Sequence, residues 1–170
     1  LPETLRSKSD KPLSLLNVLR GFRSLLAHRA YVAYMGLAML TFGGLFAFIS
    51  GSSFVLQDHY GLSEFVFGLA FGTCVTGFIA GAVIASRLAP RLGLDRLIGI
   101  GVVCLAAGGL IMLAVVLFGP KHPASVVLPM MLYMFGVAFV MPQAMAGALT
   151  PFPERAGAAA SLLGFVQMTF

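Results

Sequence analysis

The sequence predicts an all-α fold, a multi-pass bundle of transmembrane helices, on three observations. Five apolar stretches, at 31–56, 65–86, 97–118, 124–149 and 156–170, contain no Asp, Glu, Lys or Arg. Of the 170 residues 59% are hydrophobic and 10% charged, where a soluble domain carries about 25% charge. The basic residues gather in alternate intervals between the stretches. A helix needs about 20 apolar residues to cross a hydrocarbon core of about 30 Å. The first four stretches are that long and the fifth falls about five residues short, so the chain reads as a fragment of a larger bundle.

Two regions follow from this pattern, a polar segment at 1–30 and a membrane bundle at 31–170. The first thirty residues lack the order of a signal peptide, which sets basic residues before an apolar core and a small-residue cleavage site. Within them, 12–29 is basic and amphipathic. Leu13, Leu16, Leu19, Phe22 and Leu26 recur at helical spacing, with Asn17, Arg20, Arg23 and Ser24 between them. That pattern predicts a helix in the membrane interface or a solvated linker into the first span.

The first two spans are rich in small residues, which let helix backbones approach closely in lipid. Gly43, Ala47 and Gly51 make one such stripe in the first span. The second span carries two, Gly68-Gly72-Thr76-Ala80 and Gly77-Gly81-Ala85. Cys74 and Cys104 sit mid-span in no metal or redox spacing and read as small apolar residues.

Between the second and third spans the sequence predicts a basic loop, 87–96. Arg87, Arg91 and Arg96 either simply anchor it to the inner face or form a latch, in which Asp95 pairs with Arg91 or Arg96 or an arginine reaches the C-terminal dipole of a neighbouring helix. The fourth span holds Pro129 and Pro142, each of which removes a helical hydrogen bond. A kink at Pro142 would suit a helix that bends during transport, or would be static. Met130, Met131, Met134, Met141 and Met145 crowd the same span. With Phe42, Phe46 and Phe139 they are candidates for a pocket tolerant of varied shapes.

Orientation follows from charge. With the N-terminal segment inside, the inner intervals 1–30, 87–96 and 150–155 hold every Lys and Arg except Lys121. Such a bias places the N-terminus in the cytoplasm. The net charge of +5 therefore reports topology rather than affinity for nucleic acid.

No span carries an ionisable acid or base, and His28, His59 and His122 fall at loop ends. No nucleophile–base set, metalloprotease helix or nucleotide loop occurs. The sequence therefore implies no enzyme, no metal and no cofactor. What the spans do carry is neutral and sparse: Thr41, Ser50, Ser52, Ser53, Thr73, Thr76, Tyr133, Gln143, Ser161 and Gln167. Such groups on apolar walls suit either a cavity for amphipathic organic molecules or hydrogen bonds between helices.

Several runs resemble a known family. Leu1-Pro-Glu-Thr-Leu5 resembles the segment after the sixth helix of drug:proton antiporters in the major facilitator superfamily. Ser50-Gly-Ser-Ser-Phe-Val-Leu-Gln57, Tyr60-Gly-Leu-Ser63 and Phe67-Gly68 resemble the seventh helix and following loop of its Bcr/CflA (bicyclomycin-resistance) subfamily. Met141-Pro-Gln-Ala-Met-Ala-Gly-Ala-Leu149 and Ala156-Gly-Ala-Ala-Ala-Ser-Leu-Leu-Gly164 are similar to the tenth and eleventh helices. One departure stands out: Pro90 precedes Arg91, where the superfamily often has an acid, so a charge latch there would rest on Asp95.

The resemblance implies helices seven to eleven of a twelve-helix transporter in the bacterial inner membrane, preceded by the central cytoplasmic loop. It implies proton-coupled efflux of drug-like compounds by alternating access, with the proton-coupling acids in an N-terminal half. Under it, Phe46, Ser50, Tyr133, Met141, Gln143 and Gln167 would line one wall of the substrate cavity. The sequence leaves open a metabolite-transporting branch of the superfamily, or a self-contained five-span structural or regulatory protein.

Overall fold

A computed structural model describes residues 15–119 and 122–169, and every regular element among them is helical. The family-like opening run and the basic residues Arg6, Lys8, Lys11 and Lys121 lie outside the described residues.

The amphipathic segment forms α1, Leu15–Leu26. Among the side chains described on it, Leu25 is buried and Leu26 is 47% exposed. One residue turns the side chain about 100° around a helix, and Phe22 and Leu25 occupy the docked face. They pack with Tyr31, Ala159, Leu162 and Leu163, so α1 sits against the neighbouring ends of two later helices.

The first span is α2, Arg29–Ser53, continued by a six-residue π-helix, Phe54–His59. The helical path thus reaches His59 rather than the expected Leu56. Gly61 closes it in the left-handed region (φ 68°), with Leu62 N–H donating back to the Leu56 carbonyl at 3.1 Å. A side chain at this turn would meet its own backbone, which is why glycine ends it. Ser63 then caps the next helix, its hydroxyl accepting from Val66 N–H at 3.4 Å.

That helix, α3, runs Glu64–Phe118 and carries both the second and third spans. The expected loop 87–96 shrinks to one residue, Gly93, at φ 76° and ψ 173°. Essentially only glycine adopts that conformation. Arg87 and Arg91 lie on the end of the first arm, and Asp95 and Arg96 on the start of the second. Each arm is roughly 40 Å long at 1.5 Å per residue.

The fourth span is α4, Ala124–Leu149, with the bounds the sequence predicts, and it runs unbroken through Pro129 and Pro142. At its start the His122 Nδ1 accepts from Ala124 N–H at 3.1 Å. A short 3-10 turn, Pro153–Arg155, leads into α5, Ala156–Thr169.

Close approaches at glycine fix the packing. Gly77 abuts Met131 and Gly81 abuts Phe135, so the first arm of α3 runs parallel to α4. Gly101 abuts Val140 and Gly108 abuts Pro129, so the second arm runs antiparallel. The chain therefore reverses at Gly93, and both arms lie against α4. Gly44 meets Tyr133 and Gly147 meets Tyr34, which sets α2 antiparallel to α4 on another side. In consequence 50% of the most apolar window of α4 is buried, against 11% in α2 and α3. It is the central helix.

This arrangement separates the two small-residue stripes of the second span. Gly77, Gly81 and Ala85 are buried. Gly68, Gly72, Thr76 and Ala80 are exposed, and a methyl group built at Gly68 or Gly72 would meet nothing within 4 Å. In α2 the close approach is made by Gly44, while Gly43 and Gly51 stand clear.

Candidate functional site

Within a membrane, each neutral polar side chain either bonds a neighbour or faces a polar occupant. The six expected wall residues fall into separate groups on that criterion. Phe46 and Ser50 sit one turn apart on α2, and both are exposed. The Phe46 ring leans on Phe42, with centroids 4.5 Å apart and planes tilted by 35°.

Tyr133 is turned from α4 onto α2. Its hydroxyl donates to the Thr41 carbonyl at 3.4 Å, directly over Gly44, where a β-carbon would collide with the phenol oxygen. The absence of a side chain at Gly44 is what admits the ring. Tyr133 thus bonds across from α4 to α2.

Met141 and Gln167 face each other across α4 and α5. The Gln167 amide nitrogen donates to Met141 Sδ at 3.8 Å, and Gln167 is only 9% exposed. Gln143 is half-buried and Pro142 is exposed, both on the helix that bears Met141.

The methionines and phenylalanines do not share one pocket. Met130 and Met134 are buried with Leu56, Cys74, Val126 and Val127. Met141 packs with Ala38, Val140 and Ala144, and Met145 is 40% exposed. Phe139 is buried against Ala85 and Leu97 of α3, away from the Phe42–Phe46 pair on α2. Cys74 is a packed thiol, its Sγ donating to the Val127 carbonyl at 3.7 Å.

At the other end of the bundle, Asp95 accepts from the Tyr34 hydroxyl at 2.8 Å. The expected partners Arg91 and Arg96 are exposed there, as is Arg87. Tyr31 donates from its hydroxyl to the Ala159 carbonyl at 2.7 Å, and its ring meets Phe152 edge-on at 5.9 Å. Sequence reasoning singled out neither tyrosine. The available signal was a pair of phenols in the first turns of a span, next to the basic end where hydrogen-bond partners gather. A cavity of about 210 Å³ lined by Pro151, Phe152, Pro153 and Arg155 opens in this region and includes none of the six wall residues.

Among the described residues no cluster of three His, Cys, Asp or Glu side chains could hold a metal ion. The chemistry on display is hydrogen bonding and apolar contact: two open residues on α2, a tie at Tyr133, and an amide–thioether pair between α4 and α5.

Comparison with known proteins gives one pattern throughout. Residues 2–169 match the family described as Major Facilitator Superfamily. The chain is 30% identical over 169 residues to the uncharacterized MFS-type transporter YdgK of Bacillus subtilis, covering 99% of this chain and 42% of that protein. It is 31% identical to a bicyclomycin resistance protein homolog of Haemophilus influenzae, over 98% of this chain and 42% of the relative. It is 28% identical to multidrug resistance protein D of Escherichia coli, over 98% and 41%. The chain thus spans about two-fifths of the length of these relatives. No solved structure matches.

Proposed function

The chain belongs to the Major Facilitator Superfamily, and on that premise we propose that it forms the C-terminal bundle of a proton-coupled drug efflux antiporter. Residues 1–30, with α1, are the central cytoplasmic loop, and 31–170 are helices seven to eleven of a twelve-helix fold. The observation that carries this reading is likeness along nearly the whole chain to two proteins named for drug resistance. The transporter sits in the bacterial inner membrane with this segment entering from the cytoplasm, an orientation that the clustering of basic residues in alternate intervals supports.

In the mechanism, the exposed Phe46 and Ser50 and the pair Met141–Gln167 lie on the face that meets the transported compound, with Gln143 beside them in sequence. An aromatic ring, a thioether and neutral hydrogen-bonding groups accept amphipathic molecules of varied shape. Pro142, whose missing N–H leaves the Ala138 carbonyl free, is where α4 bends as the halves rock. In this reading protons are carried by acids of an N-terminal half, as the family resemblance implies, and the lack of a carboxylate in the spans here is in keeping with that.

Accumulation of a fluorescent cationic dye in cells tests the reading. The chain alone should leave accumulation unchanged. Joined to a matching N-terminal half it should lower accumulation, and a protonophore should abolish that effect. Lower accumulation with the chain alone, or export indifferent to the protonophore, would count against it.

A further inference from the structure

The amide–thioether pair between α4 and α5 carries a direction. A thioether sulfur has lone pairs and no hydrogen to donate. The group of Gln167 that faces Met141 Sδ at 3.8 Å is therefore its NH2, and the carbonyl oxygen Oε1 is turned the other way. Among the described residues, every buried side-chain nitrogen or oxygen has a hydrogen-bond partner. No partner among the described residues accompanies Oε1, so the small exposed part of this residue, 9% in all, includes that oxygen.

An amide oxygen left bare against hydrocarbon is costly, because the hydrogen bond it made to water is not replaced. It can accept and cannot donate. The occupant that satisfies it brings an N–H or an O–H. We infer that Gln167 reads hydrogen-bond donors on the transported compound, and that Met141 fixes the amide so that its oxygen faces that compound. The inference rests on the efflux reading above and narrows it: cationic or neutral compounds bearing a free N–H or O–H are favoured over fully alkylated ones of the same shape. Met141 is a positioning residue in this scheme.

Two dyes of closely matched shape isolate the effect. Rhodamine 6G carries secondary-amine N–H groups, and tetramethylrhodamine ethyl ester carries none. Their dissociation constants would be measured by fluorescence anisotropy on the chain joined to its N-terminal half in lipid nanodiscs. The unsubstituted protein should prefer rhodamine 6G by about fivefold, the scale of one net hydrogen bond. Gln167→Leu should remove the preference by weakening rhodamine 6G about fivefold, and an unfolding midpoint in detergent equal to the parent's shows that the variant is folded. Gln167→Glu keeps acceptor oxygens but loses the donor to Met141, so it should narrow the preference without abolishing it. Met141→Leu frees the amide to turn and should narrow it.

A preference unchanged in Gln167→Leu would overturn the inference. So would an equal loss of both dyes, the outcome expected if Oε1 serves only to bond another helix. Binding of neither dye by the unsubstituted protein would overturn the efflux reading itself, and this inference with it.

Discussion

The hydroxyl of Tyr34 donates a 2.8 Å hydrogen bond to Asp95, while the ring of the same residue covers Gly147 of α4. One side chain thereby joins α2, the start of the second arm of α3, and the end of α4. Its ring and its hydroxyl do different work. Tyr34→Phe keeps the first and loses the second, at about 1 kcal/mol, the worth of one net hydrogen bond. Asp95→Ala should match it, and the double variant should cost no more than either alone. Unfolding in mixed micelles with rising denaturing detergent gives the three values. Additive losses would show that the pair is not coupled.

The glycines of the first arm of α3 should divide sharply. A methyl group at Gly81 would lie 2.7 Å from the Phe135 carbonyl oxygen and 2.9 Å from the Ala138 β-carbon. Backbone cannot yield as a side-chain tip does, so Gly81→Ala should cost about 1–3 kcal/mol. Gly72→Ala, with nothing within 4 Å, should be neutral within about 0.5 kcal/mol. The same detergent titration compares them.

Gly93 is held in a backbone region that side chains do not enter, at φ 76° and ψ 173°. Gly93→Ala should destabilise by about 1–3 kcal/mol, although its surroundings are open. Strain without crowding distinguishes this site from Gly81. A larger residue at Gly93 should therefore cost little more than alanine does.

Topology is testable by labelling in a background with Cys74→Ala and Cys104→Ala. Arg91→Cys, beside the reversal of α3, should react with a membrane-impermeant maleimide only after the cells are opened. Asp58→Cys, at the far end of the first span, should react in intact cells. The reverse pattern would place the N-terminal segment outside.

The span limits were legible because lipid leaves little choice. A chain crossing hydrocarbon must satisfy its backbone internally and present an uninterrupted apolar run, and α4 begins and ends where that run does. The reversal of α3 was less legible. Arginines, a proline and an aspartate look like a loop, yet Arg87, Pro90 and Arg91 remain helical, because one glycine suffices to turn the chain. The site was least legible. Gln167 could be recognised as a residue in need of a partner, but not that the partner is the sulfur of Met141.

By itself, then, the sequence determined that the chain is helical and multi-pass, where its apolar runs lie, and which intervals carry the basic charge. Those properties depend on each segment's exchange with lipid and water. Tertiary structure alone decided that Gly77 and Gly81 pack while Gly68 and Gly72 stand open. It also decided that Asp95 bonds Tyr34 rather than an arginine, and that Phe139 is core while Phe46 is surface. Periodicity fixes which residues share a face of one helix. Which neighbour that face meets depends on the fit of two surfaces, and no single segment contains that information.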